Sequence, residues 1–448
     1  MKRRMVLGAA ILAAGLLLAG CKSEVPQLNT ELLIYAGDST KYDISEYTNV
    51  LSTFQKEHAA VKTSFYKLPT DETMEESAAQ AALKTALAGG DGPDVIVDAC
   101  WAQDLEKLAG SGVFYDMDRL LEKDASFTLD EGYQKAVIDR GVFDGKRVIM
   151  PLFFTVNTFG STEELLAKSD FEGLHSYTAK EFCGHAKAFL QENPEMALFN
   201  NTGVQYRTIV QSLFTELDTE TLQSDAFREV LEICLRNTER QKELGIDAED
   251  LFRPYFALES GKYLFYGNND NQVLKRLGTF QNLGRATYFT LKNEQGSLNG
   301  AIVYFAAINA QSENLQNAWD FVKLLLTNYQ DIPRYLPQAT KGTSMAGEVG
   351  QGVLLAGNRG IVDYFQLGRA QTLHYRNADG SVTKIPMTTV EQEVAEAFAE
   401  ISAQVGEAYY TYSTDQVMSY FDAYVAGEKG YDACLEEAVG YVTIHQSE

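Results

Sequence analysis

The feature that most constrains the fold is an alternation of short apolar runs with helical patterns near the start of the chain. Leu32-Leu33-Ile34-Tyr35 is a compact apolar run ending in the loop signal Ala36-Gly37-Asp38-Ser39. Residues 44–57 carry helical spacing, with Tyr47, Leu51 and Phe54 on one face. Residues 61–68 alternate with period two, and residues 74–88 read as an alanine-rich helix stopped by Gly89-Gly90. Pro93-Asp94-Val95-Ile96-Val97-Asp98 is a β-branched run suited to a buried parallel strand, and residues 101–108 return to helix. Strands and helices in this order predict an α/β fold, a parallel-rich sheet covered by helices on both faces.

The pattern continues beyond this unit. Residues 142–149 read as a hairpin, since Asp144-Gly145 tolerates the positive φ angles of a two-residue turn. Helices are expected at 163–168, 179–191, 205–217 and 226–244, and strands at 261–266, 286–291 and 301–308. A helix at 317–326 buries Phe321, Leu324 and Leu325 together, and Trp319 shares that core spacing; later helices are expected at 391–405 and 415–426. At about 150 residues per domain, the length predicts two or three domains. An apolar content of 45% supports a sizeable core.

The first twenty-one residues are a separate matter. Lys2, Arg3 and Arg4 precede an uncharged apolar stretch from Val6 to Leu18, shorter than the roughly 20 residues a membrane span requires. Leu18-Ala19-Gly20-Cys21 resembles a bacterial lipobox. That resemblance implies a lipoprotein signal peptide at 1–20, lipidation of Cys21 and a spacer to residue 30. The body would then sit on the extracytoplasmic face of the cell membrane, held by its lipid anchor.

Charge and motifs exclude several functions. Lys and Arg number 38 against 62 Asp and Glu, a formal charge of −24, which argues against a nucleic-acid partner and against spontaneous adhesion to anionic lipid. Cys100, Cys183, Cys234 and Cys434 match no zinc or CxxC spacing; they read as buried free thiols, with one disulfide left open. The histidines are scattered, and no HExxH, GxSxG or P-loop occurs. The chain is therefore read as no enzyme, with no cofactor and no metal site; a lipid-anchored glycosidase is the enzymatic alternative.

The order of signals resembles the extracellular solute-binding lipoproteins of ABC importers, family 1, in the maltose-binding-protein-like branch. Gly92-Pro93-Asp94-Val95-Ile96, then Leu105 to Leu108 and Gly112-Val113-Phe114-Tyr115-Asp116-Met117, resembles one conserved stretch of that family. Phe143-Asp144-Gly145-Lys146 through Met150-Pro151, Phe256 with Ser260-Gly261-Lys262, and Ala301-Ile302, Asn309 and Asn317-Ala318-Trp319-Asp320-Phe321 resemble three more. The chain departs from the pattern at Asn157-Thr158-Phe159 and at Asn268-Asn269-Asp270, where the family carries an aromatic-Asn-Lys motif and often a tryptophan.

The resemblance implies a periplasmic-binding-protein-like fold of type II, with two lobes joined by a crossing hinge. The lobes would be 31–152 with 304–330 and 153–303 with 331–448, crossing near 152–156, 298–304 and 327–340. It implies a monomer that captures a small molecule, a saccharide first of all with peptide and polyamine as alternatives, and presents it to ABC permease subunits.

Ligands of open α/β sheets bind beyond the carboxyl ends of strands. That rule nominates Asp38 and Ser39 after the first strand, and Asp98 and Trp101 after the strand at 95–97. Phe153, Phe154 and Tyr304 lie at expected crossings, and Tyr266, Asn268, Asn269 and Asp270 form a polar-aromatic cluster after a strand. Aromatic rings give rigid stacking area for a sugar face, and amides and carboxylates bind its hydroxyls. Tyr206 and Arg207, on a helix, are weaker candidates.

Overall fold

A computed structural model of the chain describes residues 31–36, 48–67, 76–98, 105–129, 133–200, 205–246, 254–268, 273–328, 354–355, 371–376, 381–388 and 390–447. Strands β1 (Glu31–Ala36), β2 (Lys62–Phe65) and β3 (Val95–Asp98) run parallel, with Ile34 opposite both Phe65 and Val95. Helices Thr48–Glu57 and Glu76–Gly89 supply the crossovers, as parallel pairing requires. The buried Asp94 fixes the entry to β3. Its carboxylate accepts from Leu33 N at 2.8 Å, Ser312 Oγ at 2.6 Å and Asn314 Nδ2 at 3.4 Å.

The hairpin forms as expected, from β4 (Val142–Phe143) and β5 (Lys146–Arg147), with Asp144 at φ 50° and Gly145 at φ 73°. It leads into β6 (Met150–Val156), and after the single residue Asn157 the chain enters β7 (Thr158–Thr162). These two strands belong to different sheets. β6 joins a seven-stranded sheet, whereas β7 joins a four-stranded one in the order β8-β10-β7-β9, with β8 (Ser176–Tyr177), β9 (Tyr266–Asn268) and β10 (Ala286–Leu291).

The chain returns through β11 (Leu298–Ile308), antiparallel to both β6 and β3. The seven-stranded sheet is completed by β12 (Leu354–Leu355) beside β6 and by a late strand, Val405–Tyr410, parallel to β11. Between these two lies a separate hairpin, β13 (Gln371–Arg376) with β14 (Val382–Met387), so the late strand is β15.

One apolar cluster runs from the seven-stranded sheet to one face of the four-stranded sheet; a second fills the opposite face of that sheet beneath helices Ala179–Glu192, Asp225–Glu243 and Tyr431–Ser447. Trp319, on helix Leu315–Asn328, is fully buried in the first cluster, as its spacing predicts. Its indole donates to Asp124 Oδ2 at 2.9 Å, and Lys323 Nζ lies 2.5 Å from the same oxygen. Lys323, Ser126 and Trp319 together hold the Asp124 carboxyl well below its ordinary value of 3.8. A lowered carboxyl pKa adds stability that is full above about pH 4 and is lost as the pH falls toward the depressed value. The melting-temperature advantage of the wild type over Asp124→Asn should therefore shrink as the pH drops from 5 to 2; a constant difference would contradict this assignment.

Some expected segments form differently. The strand expected at 261–266 forms only as β9, Tyr266–Asn268, and the helix expected at 205–217 ends at Leu213. Residues 391–405 are not one helix: helix Gln392–Ala399 ends before a 3-10 turn, Ile401–Gln404, and Val405 opens β15. Val405 turns to strand because it pairs with Leu298 of β11, and a Cβ at Gly406 would lie 2.5 Å from Ser297 Oγ beside the start of that strand. Residues 415–426 split into Thr411–Ser419 and Asp422–Val425. Of the four cysteines, Cys183, Cys234 and Cys434 are buried free thiols, and Cys100 lies outside the described residues.

Candidate ligand site at the crossings

The chain passes between the two sheets at Asn157, again at residues 292–297 between β10 and β11, and a third time from β15 into helix Thr411–Ser419. The expected crossings at 152–156 and 298–304 fall within β6 and β11. Of 327–340, residues 327 and 328 end helix Leu315–Asn328, and the rest lies outside the described residues.

Beside the first crossing lies β9. Asn268 pairs with Thr158, Gly267 with Phe159 and Tyr266 with Gly160. The Gly267 N–H donates to Gln205 Oε1 at 2.9 Å, and a Cβ at Gly267 would lie 2.9 Å from that oxygen and 3.3 Å from the Phe159 ring. A side chain here would displace the Gln205 carboxamide that accepts from this N–H. Tyr266 is 8% exposed, and the Arg276 guanidinium lies 5.5 Å from its ring centroid, within cation–π range.

In the seven-stranded sheet, Asp98 pairs with Phe305, and its neighbour Tyr304 pairs with Phe153. Strands about 4.8 Å apart therefore bring the backbones of Asp98, Tyr304 and Phe153 side by side, at the end of β3 and midway along β11 and β6. Tyr304 is partly exposed, whereas Phe154 is fully buried and packs near Gly300 as hinge core. β1 and β3 end side by side, Ala36 opposite Val97. The segments that follow those ends carry Asp38, Ser39 and Trp101; like Asn269, Asp270 and Cys21, these lie outside the described residues.

Tyr206 and Arg207 serve packing. The Tyr206 hydroxyl contacts Asp422 and donates to Met418 O at 3.0 Å, and Arg207 Nη2 lies 2.6 Å from Asp422. Burial, reinforced by Asp422, pushes the Tyr206 phenol far above its usual value.

The residues that sequence reasoning missed are amides. Asn157 Nδ2 donates to Tyr409 Oη at 3.1 Å and to the Thr208 carbonyl at 3.4 Å. Asn299 Nδ2 donates to the Gln211 carbonyl at 2.9 Å, and Asn293 Nδ2 donates to Asn299 Oδ1 at 2.7 Å. Asn157 Oδ1 and Thr158 Oγ1 are buried without partners, each disfavouring this arrangement by about 1–3 kcal/mol. The signals for Asn157 were its place in the departure Asn157-Thr158-Phe159 and an amide set in a largely apolar run from Val148 to Phe159.

A cavity of about 250 Å³ opens near the second crossing, lined by Thr215, Glu216, Asp218, Glu294, Gln295 and Glu407 among others. None of the residues nominated from the sequence lines it. Among the described residues no cluster of His, Cys, Asp and Glu is arranged to hold a metal ion, and no helix is long and apolar enough to cross a membrane.

The sequence matches no family model and no curated protein. Solved structures do match over nearly the whole chain. The sugar-binding protein MalE of Xanthomonas citri superposes with a TM-score of 0.60 at 15% identity, covering 92% of this chain and 96% of its own. An extracellular solute-binding protein of family 1 from Alicyclobacillus acidocaldarius gives 0.58 at 13%, covering 93% and 98%. An ABC substrate-binding protein of Listeria monocytogenes, in complex with cycloalternan, gives 0.55 at 15%, covering 93% and 99%. The chain thus has the mixed α/β fold of the periplasmic solute-binding proteins, and its structural neighbours are extracellular solute-binding proteins of family 1.

Proposed function

We propose that this chain is a binding protein rather than an enzyme. It captures a carbohydrate, an oligosaccharide first of all, between two lobes and delivers it to an ABC permease. In this reading it is a monomer held on the extracytoplasmic face of the membrane by lipid on Cys21. The observation that carries the reading is the set of crossings between two sheets, with Tyr266 and Asn268 beside the first and Asp98, Tyr304 and Phe153 on adjacent strands of the seven-stranded sheet. On this reading the lobes would divide at Asn157 and at 292–297, against limits expected at 152/153 and 303/304, and again at Tyr410, inside the stretch 331–448 expected to lie wholly in one lobe. Neighbours that bind sugars on the same fold support carbohydrate as the ligand class.

The test is the melting temperature of soluble residues 22–448 against oligosaccharides, peptides and polyamines. A ligand binding only the folded chain stabilises it by about 2.7 kcal/mol at a hundredfold excess over Kd. A shift confined to one saccharide series supports the reading; a shift with peptides or polyamines alone overturns the ligand class. With the responding saccharide, Tyr266→Ala should weaken binding about tenfold, since lost aromatic contact is worth about 1 kcal/mol or more. Unchanged affinity would remove Tyr266 from the site.

A further inference from the structure

Helix Gln205–Leu213 is buried along nearly its whole length, including polar residues that an ordinary helix would turn to solvent. Gln205, Thr208, Gln211 and Ser212 are all at most 7% exposed. Their spacing of three and four places them along one edge. At the amino end, Gln205 Oε1 accepts from Gly267 N of β9. In the middle, the Thr208 carbonyl accepts from Asn157 at the first crossing. At the carboxyl end, the Gln211 and Ser212 carbonyls accept from Asn299, on β11 just past the second crossing, at 2.9 and 3.4 Å. Gln211 Nε2 donates to Thr414 Oγ1 at 2.8 Å and Asp415 Oδ1 at 2.9 Å, just past the third.

We propose that this helix is a coupling rod, with Gln205 as the positioning residue for β9. It ties the strand end bearing Tyr266 and Asn268 to all three crossings, so that β9 and the hinge move together. Buried hydrogen bonds to a rigid helix transmit displacement because neither end moves without breaking bonds that water cannot replace. The inference rests on the binding-protein reading only in naming β9 as the ligand strand; the coupling itself is independent of any ligand.

The test is amide hydrogen exchange on the full chain without ligand. Asn299→Ala removes the bonds at the hinge end, about 10 Å of helix away from Gln205. The Gly267 amide should then exchange at least tenfold faster. In the reverse direction, Gln205→Leu should accelerate the Ala301 amide in β11, since coupling is reciprocal, and Gln205→Glu, which keeps an acceptor, should restore slow exchange at both. Acceleration confined to residues near each substitution would overturn the proposal. The unmodified protein supplies a check that needs no variant. With rising urea, the Gly267 and Ala301 amides should open with one common dependence; separate dependences would equally overturn it.

Discussion

Replacing Asn237 with alanine should destabilise the protein by about 3 kcal/mol, shifting its urea midpoint by about 1 M at the usual slopes. Asn237 is fully buried on helix Asp225–Glu243. Its carboxamide oxygen accepts from Leu198 N at 2.8 Å and Phe199 N at 3.4 Å, and its nitrogen donates to Phe199 O at 2.8 Å. The same segment pairs with residues 262–265, and this one side chain completes the backbone bonds that the pairing leaves over. Gln241 shares the Phe199 carbonyl, so the two amide N–H groups suffer most when Asn237 is truncated. The segment so held leads to the buried Asn200 and on toward Gln205, so if the chain binds as proposed, ligand affinity should fall along with stability. A loss below 1 kcal/mol would mean that the freed groups find other partners, and the pinning role would be wrong.

Trp319→Ala should cost about 4 kcal/mol, the range for emptying a large buried aromatic site. The indole sits edge-on to Phe127 at 5.8 Å and its N–H holds Asp124, so the substitution opens a cavity and strips a partner from a carboxylate. Trp319→Phe separates the two effects: it keeps most of the volume and loses the hydrogen bond, and should cost about 1–2 kcal/mol. Equal losses for both variants in urea titration would assign the stability to the hydrogen bond and not to packing.

Much of this fold was legible because hydrophobic period and turn chemistry are local signals. The β-branched run Val95-Ile96-Val97, the Asp144-Gly145 turn and the apolar face of Trp319 each needed only neighbouring residues to read. β15 was not legible: Val405 follows a helix directly, and its strand partner Leu298 lies more than a hundred residues earlier. The hairpin of β13 and β14 and the helix Tyr431–Ser447 were likewise passed over, the helix having an apolar pattern too diffuse to mark one face.

At the site, the sequence nominated the ends of strands. The nominated side chains divide into Phe154, Tyr266 and Tyr304, which the structure describes, Asp98, Phe153 and Asn268, of which it describes the backbone, and Asp38, Ser39, Trp101, Asn269 and Asp270, which lie outside the described residues. The amides at the crossings escaped notice because Asn157, Gln211 and Asn299 acquire meaning only through partners 50 to 250 residues away, such as Tyr409 for Asn157.

The late position of β15 sets the order in which the protein can be completed. β11 is flanked by β6 and β3 over its second half, but over Leu298–Ile302 its other edge is met only by β15. Gln134 Nε2 reaches the Val405 carbonyl at 3.2 Å and Tyr410 Oη donates to the Arg140 carbonyl, so the early helix Lys135–Asp139 also waits for this segment. Until some four hundred residues have been made, the central sheet carries an open edge of unpaired backbone groups. A chain halted before Val405 would present that edge to any passing strand, and nascent or truncated forms should be prone to self-association well before the ligand site has any bearing on their fate.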